Sequence, residues 1–232
     1  MVRHLRHRLR SRLAGRGRRF QLAMASEPVA PLIRHWYGYF YLRPLGRAKE
    51  AIEEHRRALE EDPLNLIMRI GLAISLREAG RDQEAAEEAR KVLELEPDSY
   101  AAFNLQAFDF TWEPLDQALA FAEKGYALSP WFAPAVGLLA GLLVRAGDQS
   151  RAREVLKELE DDGRSERCSA FTIYHLLCGE TEQAVDWMER AIRRQEQMVT
   201  MLLLPTPWGP MLRSSPRWPE LSRMMNLLET AP

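Results

Sequence analysis

Apolar and polar positions along the chain predict pairs of helices, and the stretch from Leu66 to Pro97 shows the pattern most fully. Over Leu66–Ala79 the apolar residues recur at the three- and four-residue intervals of an amphipathic helix. Gly80 can adopt the left-handed conformation that ends such a helix. A second apolar face, backed by charged residues, runs over Glu84–Leu95, and Pro97 ends it because proline lacks an N–H. The stretch therefore predicts two antiparallel helices joined by a tight turn.

The same pattern recurs along the chain with a period near 34 residues. Four segments share a glycine followed five residues later by an alanine: Gly46–Ala51, Gly80–Ala85, Gly147–Ala152 and Gly179–Ala184. A fifth segment, Glu113–Ala118, keeps the alanine and lacks the glycine. The alanines are 34, 33, 34 and 32 residues apart, and a second series consists of prolines 35, 34 and 33 residues apart: Pro28, Pro63, Pro97 and Pro130. Antiparallel helices approach closely only where side chains are small, so we expect the alanines to be packing contacts.

Helix–turn–helix repeats of this period are typical of a solenoid. Over Phe20 to about Glu196 the chain resembles the tetratricopeptide repeat (TPR) family, with the best match at Gly71–Ala73, Gly80, Ala85, Val92 and Pro97. The resemblance implies an all-α, right-handed superhelical solenoid of about five TPR-like helical hairpins with a C-terminal capping helix. The third repeat departs from the pattern because Trp112–Pro114 replaces its glycine turn, and the fifth lacks its terminal proline.

Three segments are predicted: a leader at residues 1–19, a TPR solenoid at 20–200, and a Pro-rich connection with a capping helix at 201–232. The leader is basic, and its leucines at every fourth position suit an organelle transit peptide: Leu5, Leu9 and Leu13. It could equally be a nucleic-acid or membrane-surface arm, a disordered start, or the trimmed edge of a longer gene product. In the last segment one apolar face supports the capping helix: Trp218, Leu221, Met224, Met225 and Leu228.

Composition and charge narrow the class of protein. The chain of 232 residues is 46% hydrophobic and 28% charged, as in soluble globular proteins. Met1–Ser26 hold eight of the 32 basic residues and none of the 33 acidic ones, so the remainder carries a net charge of −9. Such an acidic body argues against nucleic-acid binding by the repeats. Two cysteines suggest a reducing compartment, and no apolar run reaches the roughly 20 residues of a membrane span. We expect a cytoplasmic protein.

No motif in the sequence supports catalysis or a cofactor. Phosphate-binding loops, dinucleotide fingerprints, zinc-protease helices and nucleophile elbows have no match. Cys168, His175 and Cys178 would share one face of a continuous helix, which could begin a zinc site or simply fill a helix interface. His35 and His55 lie on predicted helix faces, where a packed or surface role is expected. The sequence therefore predicts a protein that is not an enzyme and holds neither metal nor cofactor.

The best functional signal is an apolar strip on the first helix of each hairpin, which lines the concave surface in the family the chain resembles. The alanine register places nine residues there: Ile33, Trp36, Phe40, Ile67, Ile70, Ile74, Tyr100, Phe103 and Phe110. Exposed apolar and aromatic residues mark interaction surfaces, although some of these residues could pack between repeats instead.

Two arginines, Arg43 and Arg77, occupy the same repeat position 34 residues apart, near the edge of the predicted groove. They could form a fork on a carboxylate of a bound peptide, or they could be ordinary cationic ends of helices. The chaperone-tail binders of the family clamp a peptide's terminal carboxylate with lysine and asparagine at concave positions. Here those positions are mostly apolar, which argues for a different ligand.

Two functional hypotheses follow. The first is a non-catalytic protein–protein interaction scaffold that binds a partner peptide or helix in a concave apolar groove. The second is the regulatory TPR portion of a bacterial signalling protein, separated from its transcription-regulator, kinase or cyclase domain. The second rests on a resemblance of the C-terminal tail, His35–Leu42 and Arg57–Asn65 to the repeat regions of such proteins. A homo-oligomer or a missing upstream domain remain alternatives for the partner.

Overall fold

The structure is a computed structural model that describes residues 18–26, 28–109, 114–160, 163, 165–196 and 208–225. These residues form helices and turns, and none of them lies in a strand. The chain divides into two compact units, one of residues 1–88 with 216–232 and the other of residues 89–215. Each unit is described separately below.

The first unit consists of helical hairpins and includes the C-terminal helix. Its α-helices are α1 (18–24), α2 (Pro31–Tyr37), α3 (Ala48–Glu61), α4 (Leu66–Glu78), the first part of α5 (Asp82–Leu95) and α13 (Trp218–Met225). After α2 the chain continues as a π-helix, Gly38–Leu42, and a short 3₁₀ turn, Arg43–Leu45. The Arg43 N–H donates to the Gly38 carbonyl, which is the widened hydrogen bond of a π-helix.

The second unit begins within α5 and is also built from hairpins. Its further helices are α6 (Tyr100–Asp109), α7 (Leu115–Leu128), α8 (Ala133–Arg145), α9 (Gln149–Leu156), α10 (Arg167–Leu177), α11 (Thr181–Arg194) and α12 (Trp208–Arg213). A 3₁₀ turn, Lys157–Leu159, extends α9. Successive helices of this unit contact each other in pairs, α6 with α7, α8 with α9 and α10 with α11.

The repeat glycines end the first helix of their hairpins as predicted. Gly46, Gly80, Gly147 and Gly179 have φ values of 72, 73, 87 and 75°. Beyond Gly80, the Arg81 N–H donates to the Leu76 carbonyl at 2.9 Å, which satisfies a carbonyl that the helix end would leave unpaired. The same hydrogen bond follows Gly147 and Gly179. The left-handed turns predicted from the repeated glycine are therefore confirmed.

The repeat alanines are buried, as their spacing predicts: Ala51, Ala85, Ala118, Ala152 and Ala184. In the first unit Ala85 packs with Ile52, Leu72 and Leu76 in one apolar cluster. In the second unit two glycines allow α8 and α10 to approach closely. A Cβ at Gly137 would overlap the carbonyl oxygen of Ala170, and a Cβ at Gly141 would lie 2.6 Å from the Leu177 Cβ.

The predicted all-α class of TPR-like helical hairpins is confirmed. A C-terminal helix is present as well, and it belongs to the same compact unit as α2 to α4. No helix in the described part of the chain is long and apolar enough to cross a membrane. The proposed limits at residues 19/20 and 200/201 stay predictions.

Candidate interaction surface

Apolar side chains are exposed on α2, on α4 and in the turn that precedes α4. Trp36 is 43% and Ile67 61% exposed, and Leu32 and Leu64 are exposed as well. The two helices contact each other, so these residues lie on neighbouring elements of one unit. We call Leu32, Trp36, Leu64 and Ile67 the α2–α4 surface. Asn65 begins α4, since its side chain accepts a hydrogen bond from the Met68 N–H at 3.2 Å.

The other predicted groove residues of the first unit are less accessible. Ile33 and Phe40 are half-buried, and so is Ile70. Ile74 is buried, so that exposure along the predicted face of α4 falls from Ile67 towards its C-terminal half. A ligand on this face would therefore contact the N-terminal half of α4.

Two buried histidines lie in the core of the same unit. His35 of α2 and His55 of α3 have ring centroids 5.0 Å apart, and His35 stacks on Tyr39 at 5.6 Å. Gly38 and Gly71 make room for the rings, because a Cβ at Gly71 would lie 2.8 Å from His35 Cε1 and 2.9 Å from His55 Cε1. The packed role expected for both histidines is thus the observed one.

Neither histidine is charged near neutral pH. Burial lowers the pKa of His35 from 6.5 to about 4, with a further contribution from the Arg43 cation. Burial also lowers the pKa of His55 well below its ordinary value, and His35 and Arg43 add to the effect. Both ring nitrogens of His55 and Nδ1 of His35 lack a hydrogen-bond partner among the described residues. Since the unfolded chain binds these protons more readily, we expect the first unit to lose stability as the pH falls.

Arg43 forms a buried ion pair beside these histidines. Its Nε donates to Glu78 Oε1 at 2.8 Å and its Nη2 also contacts that oxygen, with the two side chains 1% and 6% exposed. The guanidinium carbon lies 4.4 Å from the centre of the Tyr39 ring. Burial raises the pKa of Glu78, whereas the adjacent Arg43 opposes the rise. The pair joins the end of the π-helix to the end of α4.

The structure therefore places the two predicted arginines differently. Arg43 is directed into the core and bound to Glu78, so its guanidinium is not presented to a peptide. Arg77 is half-buried near the C-terminus of α4. Their shared repeat position predicted that the two arginines would have the same surroundings. They do not, and Arg43 directly follows a π-helix.

The predicted groove residues of the third repeat belong to the second unit. Tyr100 is half-buried and Phe103 is buried, with Phe103 and Phe121 stacked at 6.4 Å. Phe110 lies outside the described residues. Tyr100 meets Trp131 edge-on at 5.3 Å, and Trp131 is 63% exposed. The sequence prediction did not name Trp131, which follows the repeat proline Pro130 and is not one of the four residues of the α2–α4 surface.

The candidate zinc residues are not arranged as a site. No three histidine, cysteine or acidic side chains of the described residues are grouped so as to hold a metal ion. Burial raises the pKa of Cys168 to about 12 and also raises that of Cys178, so both stay thiols near neutral pH. The His175 Nδ1 instead lies 2.6 Å from a Glu180 carboxylate oxygen. These residues are accounted for by packing and by this polar contact.

Comparison with known proteins identifies the repeat. The tetratricopeptide repeat family matches residues 115–171, from α7 into α10. The chain is also similar in structure to TTC0263, a thermophilic TPR protein in Thermus thermophilus, with a TM-score of 0.57 and 19% identity over 79% of this chain and 99% of that chain. Residues 115–171 carry a tetratricopeptide repeat match. The predicted family resemblance is therefore confirmed, and such repeats serve as binding surfaces for other proteins.

A second solved structure is less similar. The structure of MamA matches with a TM-score of 0.45 and 20% identity, covering 67% of this chain and 93% of that chain. No curated protein matches the sequence. The family match and the likeness to TTC0263 thus show the tetratricopeptide fold.

Proposed function

We propose that this TPR chain is a non-catalytic protein–protein interaction scaffold, cytoplasmic, that receives an apolar peptide or helix on the α2–α4 surface. The observation that carries the proposal is the exposure of Trp36 and Ile67, at 43% and 61%, on two contacting helices. Tryptophan is among the residues that contribute most to protein interfaces, because it buries a large rigid side chain.

The occupant is apolar because the exposed side chains of the surface are apolar. Arg43, one of the two arginines predicted to bind a carboxylate, is already bound to Glu78. A peptide with leucine or aromatic anchors at helical spacing would bury these side chains, whereas an acidic chaperone-type tail would find no exposed clamp at Arg43. The other predicted groove residues stay part of the proposal: Ile33, Phe40, Ile70, Ile74, Arg77, Tyr100, Phe103 and Phe110.

A double variant, Trp36→Ala with Ile67→Ala, tests the function. Proteins retained by the tagged full chain from a lysate of its own organism are quantified by mass spectrometry. We expect the specific partners to fall by about tenfold or more, since loss of an interface tryptophan commonly costs that much. Helical content and melting temperature should stay close to those of the parent, because both side chains are exposed.

Trp131→Ala is the matched control, since it removes an exposed tryptophan from the second unit. It should leave the same partners bound. Equal retention of partners by the parent and the double variant would refute the α2–α4 surface as the binding site. An equal loss of partners in the control would show that binding is not specific to this surface.

We propose a second function from the resemblance of the C-terminal tail, His35–Leu42 and Arg57–Asn65 to the repeat regions of bacterial signalling proteins. Here the chain would be the regulatory TPR portion of a transcription regulator, kinase or cyclase, and the α2–α4 surface would dock its effector domain or a second copy. An in-frame winged-helix, kinase or cyclase domain encoded upstream of Met1 is the expected finding. An upstream reading frame without such a domain contradicts it.

A further inference from the structure

The last hairpin of the second unit presents an aromatic stack on its surface. Phe171 of α10 and Trp187 of α11 lie face to face, with ring centroids 4.4 Å apart and planes 17° from parallel. Both rings are half-buried. The residues face each other because α10 and α11 pack as one hairpin. The stack forms a rigid apolar base.

Two arginines rest on this base. The Arg190 guanidinium carbon lies 4.4 Å from the centre of the Trp187 ring. That of Arg167 is 5.0 Å from Phe171 and 5.1 Å from Trp187. Being equally far from two stacked rings, Arg167 lies beside the stack rather than between its members. Contact with a ring restricts a guanidinium before any ligand arrives. The Arg167 Nε also donates a hydrogen bond to the Leu159 carbonyl.

These groups border a small cleft that we call the arginine cleft. Its volume is about 230 Å³, and it is lined by Arg167, Cys168, Trp187, Arg190, Arg193 and Arg194. Typical cofactor and drug-sized sites measure roughly 300–1,000 Å³. The cleft is therefore the size of one anionic side chain and too small for a nucleotide.

Two carboxylates of the chain itself interact with groups that line the arginine cleft. Glu196 accepts hydrogen bonds from the Cys168 and Ser169 N–H groups, at 3.1 and 2.7 Å, and so occupies the N-terminus of α10. The same residue lies 3.8 Å from Arg194, and Glu189 pairs with Arg193. Arg190 is exposed and forms no ion pair with any carboxylate that the structure describes. Its contact with Trp187 leaves the cation able to bind an anion from solution.

We propose that the arginine cleft binds a carboxylate side chain from an acidic segment of a partner protein. The planar edge of an arginine matches a carboxylate bidentately, and Trp187 supplies apolar contact for the methylene groups of a glutamate. Outside residues 1–26 the chain has a net charge of −9, so the arginine cleft is a local basic site on an otherwise acidic body. This site differs in unit and in chemistry from the α2–α4 surface and can hold whether or not the apolar function does.

The probe is a blocked hexaglutamate peptide, titrated into the full chain by calorimetry at low ionic strength. We expect binding that Arg190→Gln weakens about tenfold, the loss typical of one charge-assisted hydrogen bond. Arg193→Gln should weaken it less, because Glu189 already compensates that charge. Raising the NaCl concentration from about 0.05 to about 0.5 M should abolish binding, because the ion pair between Arg190 and a glutamate of the peptide would be solvent-exposed.

Arg153→Gln is the matched control, because it removes an exposed arginine from α9 of the same unit. It should bind hexaglutamate like the parent chain. Absence of binding by the parent, or equal weakening by Arg153→Gln and Arg190→Gln, overturns the proposal. So does binding of inorganic phosphate at concentrations where hexaglutamate does not bind, which would assign the cleft to phosphate. Circular dichroism of each variant verifies that the helices are intact.

Discussion

The two units are built from the same repeat, yet their cores differ in chemistry. The first unit places two neutral histidines and the Arg43–Glu78 pair among its helices. The second unit contains α8, whose residues from Ala133 to Leu143 are all buried and all apolar. The backbones of α8 and α10 come close at Gly137 and Gly141, and the buried polar side chains of this unit, such as Asn104, are uncharged. One repeat pattern therefore tolerates two ways of filling the space between helices.

This difference predicts which kind of substitution destabilises each unit most. A core with buried polar groups depends on keeping every charge paired and every imidazole neutral. A core of closely approaching helices depends on side-chain volume, because backbone contacts cannot relax as flexible side chains do. The exposed α2–α4 surface lies in the polar unit, so charge and pH are expected to affect the partner surface of that unit first.

The largest effect should follow Glu78→Gln, which leaves the Arg43 cation in the core without its anion. Breaking one side of a buried ion pair costs about 3–5 kcal/mol, and we expect a loss of that size in the free energy of unfolding by urea. The control is Glu123→Gln in the second unit, where the pair with Arg151 is exposed and its loss should cost below about 1 kcal/mol. Equal losses in the two variants would remove the distinction between the units.

A smaller but still large loss is expected from Gly137→Ala in the second unit. The added methyl group would overlap the Ala170 carbonyl oxygen, so α8 and α10 must separate. Overpacking of this kind costs up to about 3 kcal/mol, against which the better helix propensity of alanine returns about 1 kcal/mol. Melting curves of the full chain measure the net loss.

Gly71→Ala sharpens the same comparison in the first unit. There the added methyl group would meet imidazole atoms of His35 and His55 at 2.8–2.9 Å, and side chains can turn away where a backbone carbonyl cannot. We expect a smaller loss than for Gly137→Ala. A larger loss at Gly71 would show that the two imidazoles are held as rigidly as the backbone.

Local signals explain what the sequence predicted well. Gly80 and its equivalents predicted the helix ends, and the repeat alanines predicted the packing face. Both features depend on one residue and its nearest neighbours. The histidine pair depends on how α2, α3 and α4 meet, and the sequence offered only isolated histidines. The sequence also did not predict that the Arg43 side chain is buried in the core. Arg43 follows a π-helix, and no local sequence pattern predicts that helix. Trp187 and Arg190, three residues apart on one helix, were a readable sign that went unused.

The last of these effects depends on pH and is carried by His35. Its folded-state pKa of about 4 lies below the ordinary 6.5, so the unfolded chain binds the proton first and stability is lost as pH falls through that window. Between pH 7 and pH 4.5 this one group should remove about 2 kcal/mol from the free energy of unfolding. His35→Gln should abolish that part of the pH dependence, whereas His175→Gln, on α10 of the second unit, should keep it. If both variants retain the full slope, the acid sensitivity of the first unit arises from groups other than His35, and the contrast between a polar and an apolar core loses its clearest consequence in solution.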